Sequence, residues 1–483
     1  MNIPKSWILT NLEVISQVIL GQSPPSKTYN QNQDGLPFYQ GKSEFGYVFP
    51  SPVKWCSKPK KIALENDILI SVRAPVGPTN ICQEKSCIGR GLAAIRPKEK
   101  ISNKFIFYFL RKIENYWARK STGTTFSAIT GNVLKKQNIP IAPSNEQTRI
   151  VAKIEELFSH LEAGQAALGR ARANLRRYRQ SLLKAAFSGE LTRAWREQHK
   201  EELEPASELL KQINAERRAR WEADQRAKGK DPTKAKYIEP EPPDTVGLPE
   251  LPEGWEYITI DSISKIFGGK RLPKGAIYTE NTTEHPYIRV IDFENYSINS
   301  TNLCFIDEVI FQKIKRYTIN SCDIYISIAD TIGKTGTVPK ALDGANLTEN
   351  AAKITSLDFY DNKLLSYFLS STFAQTQINK FTIFTNQPKL ALFRIKKITI
   401  PFFSQPEQNE LVSLIENQCG YINNFEKLIH NQEIRTRRLK DSILDKAFSG
   451  QLVQQDPNDE HAEELLKRFK AANPGNTLNK STN

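Results

Sequence analysis

Stepping alternately four and three residues from Ile150 reaches Ile154, Leu157, Leu161, Gly164, Leu168, Ala171, Leu175, Tyr178, Leu182 and Ala185, and all but Gly164 are apolar or nearly so. This spacing holds one apolar stripe on a single helix face, and kept up over about five heptads it predicts a coiled coil. The same stepping from Leu411 gives Ile415, Gln418, Ile422, Phe425, Ile429, Gln432, Thr436, Leu439, Ile443 and Lys446. Its polar positions interrupt the seam and can set its register or choose its partner. A rod of residues 150–185 would be about 54 Å long at 1.5 Å per residue. Such a helix needs a partner, and its own second copy is the expected one.

The pattern changes on either side of these helices. Alternating segments after Trp7 and after Trp255 read as strands, and the apolar runs at 67–72 and 323–328 read as buried strands that end in a Gly-containing turn. These segments occur twice. Ile3-Pro-Lys-Ser-Trp7 returns as Leu251-Pro-Glu-Gly-Trp255, and Asp67-Ile-Leu-Ile-Ser-Val72 as Asp323-Ile-Tyr-Ile-Ser-Ile328. Ile139-Pro140 with Glu146-Gln147 matches Ile400-Pro401 with Glu407-Gln408, and Ala186-Phe-Ser-Gly189 matches Ala447-Phe-Ser-Gly450. The offset drifts from 248 to 261 over the first part of the repeat and then stays at 261 through the helix. Loops absorb length changes, whereas a helix packed on a fixed period does not.

The expected organisation is α+β: two similar globular domains, each followed by a long helix, with the two helices pairing as an antiparallel coiled coil in a pseudo-twofold internal repeat. The divisions are a first globular domain at 1–143, a first helical region at 144–227, a Pro-rich charged linker at 228–250, a second globular domain at 251–403, a second helical region at 404–472, and a flexible tail at 473–483. Gly189 and Gly450 are C-cap candidates, and shorter helices are expected at 206–224 and 461–472.

Composition narrows the function. With 483 residues, 39% hydrophobic and 25% charged, the chain can bury real cores. No apolar run reaches the ~18–20 residues of a membrane span, and the N-terminus lacks the apolar stretch of a signal peptide. A cytoplasmic protein with no membrane partner is expected. The net charge of +14 favours a polyanionic partner. The six cysteines form no metal-ligand spacing, so no metal site is expected, and buried or incidental thiols are the reading. There is no phosphate-binding loop, no Asn-Pro-Pro-Tyr tetrad and no His-Glu-x-x-His, and Gly268-Gly269-Lys270 lacks the rest of a phosphate loop. A chain that binds rather than catalyses is expected, with no catalytic residue.

The ordered duplication of Pro-x-x-Trp, Ile-Ser-Val or Ile-Ser-Ile, Pro…Glu-Gln, a heptad helix and Ala-Phe-Ser-Gly-x-Leu resembles the specificity subunits of type I restriction–modification enzymes over essentially the whole chain. The resemblance implies two target recognition domains that read the halves of a split, asymmetric double-stranded DNA sequence. It also implies two methyltransferase (modification) subunits and restriction/translocase subunits as partners in a prokaryotic cytoplasm. S-adenosylmethionine, ATP and Mg would then be used by those partners, and this chain would bind no cofactor. The alternative is a coiled-coil scaffold or adaptor that binds protein only.

Basic residues beside turns are the candidate DNA contacts: Lys42, Arg73 and Arg90 in the first copy, and Lys270, Arg271, Arg289 and Lys334 in the second. Arginine suits guanine O6/N7 and lysine suits phosphate. Arg73 is replaced by Ala329 in the second copy, which puts a shared contact there in doubt. The candidate helix interface is Ile150, Ile154, Leu157, Leu161, Leu168, Leu175, Tyr178 and Leu182 against Leu411, Ile415, Ile422, Phe425, Ile429, Leu439 and Ile443. The basic block of Arg170, Arg172, Arg176, Arg177, Arg179, Lys184, Arg193 and Arg196 reads either as a solvated face or as a surface for phosphate or partner contact.

Overall fold

The computed structural model describes residues 3–120, 128–355, 357, 359–383 and 387–471. They form two compact units, one made of residues 1–170 with 429–483 and the other of 171–428. Each long helix therefore gives its first part to one unit and its last part to the other. The tail expected at 473–483 lies outside the described residues.

In the first unit, Ser16–Leu20, Leu92–Pro97, Ile68–Ser71 and Thr79–Ile81 form an antiparallel sheet in that order. A second sheet runs Tyr29–Asn30, Trp55–Cys56, Leu36–Tyr39, Ser86–Ile88 and Ile62–Ala63, with one parallel pair between Leu36–Tyr39 and Ser86–Ile88. Ile8–Asn11 pairs with Asn138–Ile141, which ties the domain's start to its end. The run Ile68–Ser71 is wholly buried, as expected for three consecutive large apolar residues followed by a buried Ser71. Helix Asn103–Lys112 is capped by Ser102 and lays Phe105 and Phe109 against Phe448, at ring separations of 5.0 and 5.3 Å.

The second unit repeats this plan. Lys265–Gly268, Ala351–Thr355, Ile324–Ser327 and Thr335–Thr337 form its four-stranded sheet, and Glu256–Thr259 pairs with Thr399–Phe402. The equivalent of the Phe448 contact is Phe187 on Phe368, at 5.0 Å.

The long helices run Ser144–Phe187 and Gln405–Phe448, 44 residues each, and so extend past both ends of the periodic stretch. Their pairing is antiparallel within each unit. In the first, Lys440 reaches Glu162 and the Phe158 ring. In the second, Tyr178 donates to Gln418 at 3.0 Å and Arg179 to Asn423 at 2.9 Å. Ile150, Ile154, Leu182, Leu411, Ile415, Ile422 and Ile429 are buried, and Leu157, Leu161, Leu168, Leu175 and Ile443 are half-buried. Of the positions expected in the seam, Tyr178, Phe425 and Leu439 are 49%, 55% and 42% exposed; Tyr178 still meets the partner helix at the seam's edge, through its bond to Gln418. On the second helix the inward stripe runs Ile415, Cys419, Ile422, Glu426 and Ile429: it keeps the 4-3 step, but Cys419 and Glu426 take the places expected for Gln418 and Phe425, and Arg179 faces Glu426. Near their ends the helices bury wider faces against the domains, such as Ile150, Val151, Ile154 and Phe158.

The shorter helices run Ala206–Ala227 and Ala462–Ala471. Arg179 and Arg196 from the basic block are not solvated. Their side chains are 15% and 12% exposed, paired to Glu426 and Glu407.

Candidate DNA interface

One edge of each domain is built from four loops whose backbones lock together. In the first unit Gly21 N–H donates to Leu92 O at 2.9 Å, Gln22 N–H to Ile88 O at 3.0 Å, Gly89 N–H to Tyr39 O at 2.8 Å, and Val72 N–H to Gly91 O at 2.9 Å. The closeness explains the glycines. A Cβ on Gly21 would stand 2.1 Å from Gly89 O, and one on Gly91 2.3 Å from Gln40 O. Segments 21–23, 40–42, 72–77 and 89–91 thus converge, and they carry Lys42, Arg73 and Arg90, all exposed.

The second unit repeats the frame bond for bond. Gly269 N–H donates to Ala351 O at 2.9 Å, Lys270 N–H to Leu347 O at 2.8 Å, Thr348 N–H to Ile288 O at 3.0 Å, and Ile328 N–H to Asn350 O at 2.8 Å. Lys270, Arg271, Arg289 and Lys334 sit on these loops or on the turn beside them. The same turn closes both copies: Gly77 N–H and Gly333 N–H donate to Ser71 O and Ser327 O, each at 3.0 Å. Their φ values are +110° and +87°, which glycine adopts freely.

The candidates differ in how free they are. Arg289 binds Asp292 through Nε and one Nη, at 3.2 and 3.0 Å, and also Asn302 O at 2.9 Å, so its guanidinium is part of the fold. The Lys270 ammonium lies 5.7 Å from the centre of the Tyr317 ring. Arg271 donates from Nε to Glu349 at 2.6 Å. Partial burial pushes the Glu349 carboxyl up, but hydrogen bonds from Arg271 and Thr348 outweigh it and hold the group below its ordinary value. The backbone opposite Arg73 is Ala128, and opposite Ala329 it is Lys389. A basic residue is thus present at this bridge in both copies, carried on different strands. Glu349, Lys389 and Ser23 escape a search for basic residues beside glycines, since two are not basic and Lys389 has no glycine nearby.

A second repeated constellation joins each domain to its helix. Trp7 Nε1–H donates to Glu146 at 2.9 Å, and Trp255 Nε1–H to Glu407 at 2.8 Å. Gln147 accepts from Ser102 N–H and donates to Ala142 O, both at 2.9 Å; Gln408 accepts from Asp361 N–H at 2.9 Å and donates to Phe403 O at 2.7 Å. All four Glu and Gln side chains are buried. The segment after the other repeat's helix completes each joint. Arg196 and Thr192 both reach Glu407 at 2.7 Å, while Gln455 donates to Glu146. Gly189 (φ +77°) and Gly450 (φ +73°) pack on Pro252 and Pro4, where an added Cβ would come within 2.2 Å of each ring.

Among the described residues, no group of three His, Cys, Asp or Glu side chains could hold a metal ion. No helix among them is long and apolar enough to cross a membrane.

Comparison with known proteins follows the same division. The family model for the type I restriction modification DNA specificity domain matches twice, at residues 4–167 and 252–434. The EcoBI specificity subunit of Escherichia coli is 23% identical over 94% of this chain and 88% of its own. The MjaX specificity subunit of Methanocaldococcus jannaschii is 45% identical over 33% of this chain, and the match spans 38% of that protein. Among solved structures, the HsdS subunit from Thermoanaerobacter tengcongensis is 17% identical, with 93% of this chain and 98% of that one covered and a TM-score of 0.46. With two matches that together span most of its length, the chain belongs to the family of type I restriction–modification DNA specificity subunits, and it carries the specificity domain twice.

Proposed function

We propose that the two loop edges each read one half of a bipartite, asymmetric DNA target, while the paired helices set the distance between the halves and carry the methyltransferase and restriction subunits. The observation that supports this most is the loop frame itself: the same backbone hydrogen bonds recur in both domains beneath different side chains. A shared frame with different side chains suits two unlike half-sites, because base edges are read by side chains while position is set by backbone. Each helix, at 44 residues, is about 66 Å long, enough to bridge sites one duplex turn of about 34–36 Å apart. S-adenosylmethionine, ATP and Mg belong in this reading to the partner subunits.

The test is co-expression of the full chain with a cognate methyltransferase subunit, followed by long-read mapping of methylated adenines. A split asymmetric motif with a fixed spacer, lost when this chain is omitted, is the expected result. Four extra residues in the middle of each helix should lengthen the spacer by about two base pairs, from about 6 Å of added rise. A stable protein complex with no methylated motif would instead favour a scaffold that binds protein only.

A further inference from the structure

Position 90 of the first domain and position 349 of the second occupy the same place in the loop frame and carry opposite charges. The equivalence rests on the backbone. The residue before each donates its N–H to the neighbouring strand, Gly89 to Tyr39 O and Thr348 to Ile288 O, and the carbonyl of the residue after each accepts from the opposite loop, Gly91 O from Val72 and Asn350 O from Ile328. The facing loop gives the matching pair. Gln22 and Lys270 bond equivalent carbonyls, so Ser23 and Arg271 are counterparts.

The contacts across this corner are also reversed. In the first domain Arg90, exposed between two glycines, donates its backbone N–H to Ser23 Oγ at 3.2 Å. In the second, the arginine stands on the other loop: Arg271 Nε donates to Glu349 Oε1 at 2.6 Å, and Glu349 Oε2 accepts from Thr348 Oγ1 at 3.0 Å. Both domains place one arginine at this corner, from opposite sides. An ion pair whose arginine is 78% exposed adds little stability, so its presence calls for another account. What it does is restrict a long side chain. With Nε held, the two Nη groups remain as a donor fork, the geometry that matches guanine O6 and N7 in the major groove. Arg289 is committed to Asp292 and cannot serve in the same way.

We propose that Arg271 is a base-reading residue of the second domain, that Glu349 is the positioning residue that aims it, and that Arg90 is its unbraced counterpart in the first domain. The ligand feature is a guanine at the equivalent step of each half-site. This rests on the reading of the loop edges as the DNA-contacting surface.

The experiment compares Arg271→Ala, Arg90→Ala, Glu349→Ala and Glu349→Gln in the full chain, co-expressed with the methyltransferase subunit and read by methylome mapping. Arg271→Ala should relax one G·C position in one half-site, with discrimination there falling about 5- to 150-fold, and Arg90→Ala should relax one position in the other half. Glu349→Ala should relax the same position as Arg271→Ala, by less, and Glu349→Gln should restore it because the amide oxygen still accepts from Nε. A uniform fall in methylation with the motif intact would overturn the proposal, as phosphate contacts behave that way. So would a split wild-type motif that all four variants leave unchanged. If the wild-type chain directs no split motif, the DNA-reading assignment of the edges fails first and carries this proposal with it.

Discussion

At the joint between domain and helix, both copies use the same side chains for the same hydrogen bonds: Trp7, Glu146 and Gln147 in one, Trp255, Glu407 and Gln408 in the other. At the loop edge both copies keep the backbone bonds and exchange the side chains, as far as arginine against glutamate at positions 90 and 349. The joint fixes how a domain meets its helix, and a buried Trp–Glu–Gln set leaves little freedom once each polar atom has a partner. The edge asks of its residues only that the chain can make the turns. Its glycines and backbone bonds meet that demand, and the side chains are left open to vary. The joint does carry one difference in charge: Glu407 faces Arg196 whereas Glu146 faces Gln455.

That last difference gives the largest expected effect. Glu407→Ala would leave Arg196, Thr192 and the Trp255 indole without their shared acceptor. The side chains of Glu407 and Arg196 are 1% and 12% exposed, so the loss should be about 3–5 kcal/mol, on the order of 10 °C in the melting of that unit. Glu146→Ala removes an acceptor from neutral partners only and should cost about 1–3 kcal/mol. Calorimetry that found equal costs would erase the distinction between the two joints. Next come Gly189→Ala and Gly450→Ala. Each forces a non-glycine residue into left-handed backbone and a methyl group into a proline ring, for about 2–4 kcal/mol. Here the two copies should match, and the same measurement would show it.

The smallest effect is one of pH. Burial raises the Glu146 carboxyl above its ordinary 4.5, against the hydrogen bonds from Trp7 and Gln455. A carboxyl raised in the folded state favours folding most when protonated. Its contribution is therefore full below 4.5, falls as pH climbs through the raised value, and is level above it. Glu146→Gln does not titrate, so its stability relative to wild type should shift in the variant's favour across that range and then flatten. Urea melts at several pH values would read this, and a constant difference would contradict the burial effect.

Much of this was legible in the sequence. The 4-3 spacing located both long helices, because a rod that packs on a period must repeat it. The unchanging offset of 261 located the Glu-Gln side of each joint, whereas the tryptophans recur at 248, so Trp7 and Glu146 read as separate motifs and not as bonded partners. Glycines beside basic residues pointed at the loop edge because close backbone approach excludes a Cβ. Three kinds of feature left no such trace. Strand pairing such as Ile8–Asn11 with Asn138–Ile141 joins segments far apart in the chain. Phe425 fits the heptad, but the next residue, Glu426, takes the inward place beside Arg179 while Phe425 is left exposed. Glu349 reads as an ordinary surface acid until Arg271 is seen beside it.

The composition of the first unit bears on the order in which the protein can be finished. The second unit is one continuous stretch, 171–428, whereas the first needs 429–483 to be added to 1–170. Phe448, Ala462 and Leu465 belong to its core and leave the ribosome only after the whole of the second unit. At about 5–20 residues per second, the first domain waits on the order of tens of seconds for its closing segment, with the Phe105 and Phe109 face uncovered. The unit begun first is thus completed after the unit begun second.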